Sequence, residues 1–140
     1  QTINMKKIHH IGIVSDNLDF VLNALDLNKS KIEETIDDKT QQNFLHLIRL
    51  EQNDPWIEII IPKNKESTVY NFSTKFKMGL HHIGILCDNI KEIESKFDTN
   101  TDIVKLGKYE LTVESFGGKI STLFIANQNM ITEYVEIKNE

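Results

Sequence analysis

Hydrophobic and polar positions follow two periods along this chain, and their order is written twice. Lys7 to Val14 is rich in β-branched residues and ends at the cluster Ser15-Asp16-Asn17, which predicts a strand. The period then changes. Leu18, Val21, Leu22 and Leu25 fall at i, i+3, i+4 and i+7, the spacing of one helix face, with Asp16 or Asn17 as its cap. The polar segment from Asn28 to Asn43 predicts a weak strand near Lys31 to Ile36 and a turn at Asp37-Asp38. Phe44 to Leu50 and Trp56 to Ile61 are predicted strands, joined by a turn over Glu51 to Pro55. The first half thus reads β-α-β-β-β.

The second half repeats that order. Leu80 to Leu86 predicts a strand, and Asp88 is expected to cap a helix with Ile90, Ile93 and Phe97 inward. Tyr109 to Ser115, Lys119 to Ala126 and Thr132 to Ile137 are predicted strands, with a tight turn at Gly117-Gly118. The pattern from Asp98 to Lys108 fits a loop as well as a strand. Between the halves, Ser67 is a candidate cap for a short helix carrying Val69, Phe72 and Phe76 on one side. The expected organisation is a first module over residues 5–61, a connection over 62–78 and a second module over 79–140. The fold class is α+β, with two tandem βαβββ modules forming a cupped, mostly antiparallel sheet.

The repeat is also literal. His9-His10-Ile11-Gly12-Ile13-Val14-Ser15-Asp16-Asn17-Leu18 returns as His81-His82-Ile83-Gly84-Ile85-Leu86-Cys87-Asp88-Asn89-Ile90, with only conservative exchanges. Two copies are too few for a solenoid. They suggest instead a pseudo-twofold pair whose equivalent residues face a shared space.

Composition narrows the partners. The chain has 140 residues and a formal net charge of −5 at pH 7, which argues against nucleic acid or an anionic membrane as the main partner. Arg49 is the one arginine, so an anionic group would be held mostly by lysines and backbone N–H groups. A single cysteine, Cys87, excludes an internal disulfide framework. No apolar run has membrane-spanning length and no signal-peptide pattern opens the sequence, so the cytoplasm is the expected location. Met5-Lys6-Lys7 reads as a natural start, and residues 1–4 are set aside from the fold reading.

Strand alternation puts His10 on the face of Gly12 and Val14, with His9 pointing the other way; His82 takes the His10 position in the second copy. In Trp56-Ile57-Glu58-Ile59-Ile60-Ile61 a carboxylate interrupts an apolar run, which is costly unless it is paired or binds a metal. Tyr134-Val135-Glu136-Ile137 offers a similar word at the end of the second half. Glu133 competes, but it lies on the opposite face and does not mirror Glu58. The bland alternative for either glutamate is a solvent-facing position on a one-sided sheet. Read together, each module offers a histidine on its first strand and a glutamate on its last. Such mixed N/O donors suit a divalent metal ion (nickel, cobalt, manganese, iron or zinc), with positions left open for substrate oxygens.

The chain resembles the vicinal oxygen chelate superfamily over nearly its whole length. The residues that carry the likeness are the two His-His-Ile-Gly-Ile segments, Ile57-Glu58-Ile59 before Pro62, and Val135-Glu136-Ile137. The connection from Ser67 to Phe72 into Gly79-Leu80-His81-His82-Ile83 is most similar to methylmalonyl-CoA epimerase and its small bacterial relatives. The resemblance implies metal ligands at His10, Glu58, His82 and Glu136, although epimerases often carry Gln at the Glu58 position, where glyoxalase I usually has Glu. It further implies proton transfer next to a carbonyl, on a small carbonyl or thioester substrate, with Glu136 as one base. The second epimerase base, a glutamate before the third strand, falls on Gln41, whose amide cannot act as a base. His46 could take that role if its strand face is inward, and the alternative is a packed or exposed strand histidine. Cys87 has no obvious activating partner and reads as structural. The readings in contention are an epimerase-like isomerase or lyase, a glyoxalase I-like lyase, and a non-catalytic binder of the same fold. Members of the superfamily build the metal cup within one chain or across a homodimer.

Overall fold

The computed structural model describes Lys6 to Lys138. Met5 and residues 1–4, the latter set aside above, lie outside the described residues. Contacts divide the chain into two compact units, one running from His10 to His81 and the other comprising residues up to His9 together with His82 onward.

Eight strands form a mixed sheet, and each module builds its part in the same way. In the first module β1 (Lys7–Ser15) leads into α1 (Leu18–Ala24), followed by β2 (Ile32–Asp38), β3 (Asn43–Ile48) and β4 (Trp56–Pro62), with strand order β2-β3-β4-β1. β1 pairs in parallel with β4, whereas β2/β3 and β3/β4 are antiparallel. The connection carries α2 (Tyr70–Lys75). The second module repeats the plan with β5 (Met78–Leu86), α3 (Ile90–Phe97), β6 (Ile103–Val113), β7 (Gly118–Asn127) and β8 (Met130–Ile137), ordered β5-β8-β7-β6. Here β5/β8 is the parallel pair, and β6/β7 and β7/β8 are antiparallel. Among the described residues no helix is long and apolar enough to cross a membrane.

The helices form where the apolar period demands them. α1 starts at Asn17, whose side chain accepts from the Phe20 N–H, and its buried Val21 and Leu22 pack on Ile13, Ile48 and Ile59. α3 starts at Asn89 rather than Asp88. The Asn89 amide oxygen accepts from the Lys91 and Glu92 N–H groups, satisfying two of the donors a helix start leaves open. Ile90 and Ile93 pack on Cys87, Leu123 and Ile125. Full burial of each such side chain is worth roughly 1.5–3 kcal/mol. The two clusters fix which sheet face is covered. Ile11, Ile13, Ile57, Ile59 and Ile48 look toward α1, and Leu123, Ile125 and Tyr134 toward α3.

Three local expectations shift. The turn expected at Asp37-Asp38 lies at 39–42, with Gln42 at φ 58°, and both aspartates belong to β2. The ambiguous stretch before Tyr109 is strand from Ile103, with a register irregularity between Lys105 and Gly107 that hides its period. Ser67 does not cap α2 directly; its hydroxyl accepts from the Val69 N–H one step earlier.

Candidate metal centre

The face opposite the helices carries the chemistry. Within the unit from His10 to His81, β1 and β4 bring His10 and Glu58 together. His10 is 1% and Glu58 6% exposed, and Nε2 of the imidazole stands 4.0 Å from Oε1 of the carboxylate. The alternation of β4 explains the geometry: Ile57 and Ile59 face the α1 core, so Glu58 faces away from it. Leu47 is the β3 partner of Glu58 and is fully buried. A carboxylate walled by apolar neighbours needs a cation or strong donors.

The other unit holds the equivalent pair. His82 is 2% exposed, and its Nε2 lies 3.0 Å from Oε1 of Glu133, itself 7% exposed. Phe124, the β7 partner of Glu133, packs edge-on to the His82 ring with centroids 5.2 Å apart. Each pair thus turns an imidazole nitrogen and a carboxylate oxygen toward one another with little water access, donors of the kind that divalent ions from nickel to zinc accept. The remaining histidines of the repeat look elsewhere. His9 packs edge-on against Phe116 at 4.3 Å, and His81 against Phe72 at 5.0 Å.

Three expected site residues are placed differently. Glu136, not Glu133, was the expected partner of His82, yet its Oε1 accepts from the Ile90 N–H at the start of α3 at 2.9 Å, and its Oε2 lies 3.2 Å from Lys138 Nζ. It stands on the helix side of β8 with Tyr134, lining a cleft of about 210 Å³ with Lys91, Lys108 and Ser121. His46 is also on the helix side: its partner in β4 is Ile59, and its Nδ1 lies 2.9 Å from the Thr35 hydroxyl. Burial, followed by the charge of Lys29, pushes its pKa below the ordinary 6.5. Gln41 sits in the β2–β3 turn. Its side-chain amide donates to Asp38 at 3.2 Å and its carbonyl oxygen accepts from Thr68 at 3.0 Å, so it is a structural clasp.

Two further groups sit in local contacts. Cys87 is buried, and desolvation above all raises its thiol pKa. The Arg49 guanidinium stacks over Trp56 at 4.0 Å and donates to the Gln52 carbonyl. Thr122, which sequence reading passed over, is 4% exposed on the face of His82 and Glu133, and its hydroxyl has no hydrogen-bond partner.

Module plan, strand order and parallel β1/β4 and β5/β8 pairs define the vicinal oxygen chelate fold. Among solved structures, a methylmalonyl-CoA epimerase from Streptomyces coelicolor in complex with 2-nitronate-propionyl-CoA matches with a TM-score of 0.74 at 16% identity, covering 95% of this chain and 98% of that one. The methylmalonyl-CoA epimerase from Mycobacterium tuberculosis gives 0.73 at 14% identity, covering 94% and 88%. A hypothetical protein from Bacillus halodurans C-125 gives 0.73 at 22% identity, covering 96% of each chain. At these identities the likeness is one of fold. No family model and no curated protein matches the sequence.

Proposed function

We propose that this protein is a metal-dependent isomerase or lyase that moves a proton next to the carbonyl of a small thioester or 2-oxo acid derivative. Its divalent ion would be held by His10, Glu58, His82 and Glu133. The observation that carries the reading is the same buried His–Glu pair in each module, at repeat-equivalent histidines. All four are buried and of the residue types that ligate metal ions, which supports the reading. The fold shared with methylmalonyl-CoA epimerases, one of them solved with methylmalonyl-CoA and ammonium, supports an acyl thioester as substrate.

A bound ion would supply Lewis-acid polarisation of a carbonyl oxygen. The chain's own part is to hold the carbonyl in a water-poor setting and to exchange the α-proton through a carboxylate, for which Glu133 is the candidate. Glu133 is buried opposite Phe124, so little water competes for its carboxylate.

Gln41 and His46 favour one-base chemistry. Neither offers a second base on this face, so a glyoxalase I-like isomerisation or lyase reaction is the rival to two-base epimerisation. The test is metal analysis of protein purified without chelator, followed by solvent deuterium exchange into methylmalonyl-CoA and turnover of the glutathione hemithioacetal of methylglyoxal. Near-stoichiometric metal with metal-dependent exchange or turnover supports the proposal. Absence of metal uptake sinks the enzyme reading and favours a non-catalytic binder.

A further inference from the structure

The duplicated segment repeats its glycine as faithfully as its histidine. Gly79, Gly107, Gly117 and Gly118 each have a local reason to be bare. Gly117 and Gly118 adopt φ of 105° and 113°, a Cβ on Gly79 would stand 2.8 Å from the Phe72 ring, and one on Gly107 would stand 2.6 Å from the Tyr109 hydroxyl. Gly12 and Gly84 lie inside strands β1 and β5, outside the positive-φ set.

Their register gives them another reason. Gly12 is the β1 residue opposite Glu58, and Gly84 is the β5 residue opposite Glu133. Each is buried and lies two residues after the pairing histidine, hence on that histidine's face. Neighbouring strands run about 4.8 Å apart, and opposed residues raise their side chains from the same face. Each glutamate has to lean sideways across the neighbouring strand to meet an imidazole one step back along it. The position it leans over is the glycine. Flanking pairs on the same face, His10/Trp56 and Val14/Ile60 in one unit and Leu86/Val135 in the other, carry side chains on both strands.

We infer that Gly12 and Gly84 are positioning residues for the metal centre, each keeping open the lane through which its carboxylate reaches its imidazole. The inference rests on the metal reading of the four ligands and names what aims two of them.

Gly12→Ala, Gly12→Val, Gly84→Ala and Gly84→Val test it. Nickel and cobalt binding is titrated calorimetrically on the chelator-treated protein, with circular dichroism and urea unfolding to confirm the fold. Supporting groups around metal sites change affinity by roughly 10–100-fold, so each valine variant should bind at least tenfold more weakly and each alanine variant roughly threefold more weakly. Valine variants that fold and bind like the parent overturn the inference. Where a valine variant fails to fold, parental affinity in the alanine variant overturns it. If the parent binds neither ion, the metal reading fails, and a crystal structure of Gly84→Val decides the rest. Glu133 displaced from His82 upholds the lane, and an intact contact refutes it.

Discussion

Oε1 of Glu133 lies 3.0 Å from Nε2 of His82, while Glu136, three residues on, spends its Oε1 on the Ile90 N–H at the start of α3. The two glutamates stand on opposite faces of one strand and should separate cleanly by mutation. Glu133→Ala should abolish nickel or cobalt uptake, measured calorimetrically, with a cooperative unfolding transition retained. Glu136→Ala should keep metal uptake and lose about 1–2 kcal/mol of stability in urea unfolding, the usual cost of removing a charged acceptor from a helix start. The reverse pattern would return the ligand role to Glu136.

The difference shows what strand sequences disclose. The burial of His10, His82 and Glu58 was legible because alternation fixes relative faces, and because a charge inside Ile57-Glu58-Ile59 needs a reason. Alternation does not say which face is the inner one when both are apolar. The resemblance of Tyr134-Val135-Glu136 to Trp56-Ile57-Glu58 therefore misdirects: Trp56 shares the face of Glu58 and His10, whereas Tyr134 belongs to the α3 core beside Phe97. The same ambiguity hid the face of His46, which only the Ile59 register decides. Both β-α-β-β-β modules were legible because helix and strand periods alternate distinctly. The start of β6 was not, since its irregularity at Lys105/Gly107 breaks the period.

Gln41→Glu, which would restore a carboxylate where epimerases have one, meets an obstacle. The Gln41 amide donates to the Asp38 carboxylate, and Asp38 is 2% exposed. The substitution removes that donor and sets two carboxylates face to face, which should cost about 1–3 kcal/mol. The deficit should appear as a lower urea midpoint at pH 8 with an unchanged m-value. A variant of parental stability at pH 8 with new epimerase activity would show that Gln41 is a clasp only by default.

Thr122 carries a buried hydroxyl without a partner. Such a group costs free energy that an apolar isostere avoids. Thr122→Val should therefore leave stability unchanged or raise it by about 1 kcal/mol, read as a higher urea midpoint at constant m-value. A loss of more than about 1 kcal/mol would mean that the hydroxyl is satisfied in solution by an ordered water.

His46 sets a pH dependence whose sign is fixed by its surroundings. Burial first, and then Lys29, lower its pKa from 6.5. On acidification the unfolded chain takes up the imidazole proton before the folded one does, so unfolding is favoured from about pH 6.5 down to the native pKa. Above that window His46 contributes no pH dependence, and below it the penalty is constant. His46→Gln removes the titrating group while keeping a partner for the Thr35 hydroxyl, 2.9 Å from Nδ1 in the parent. The parent should lose more stability than this variant between pH 7.5 and pH 5, measured by urea unfolding at fixed ionic strength. Parallel stability curves for the two proteins would show that the imidazole titrates as it does in the unfolded chain.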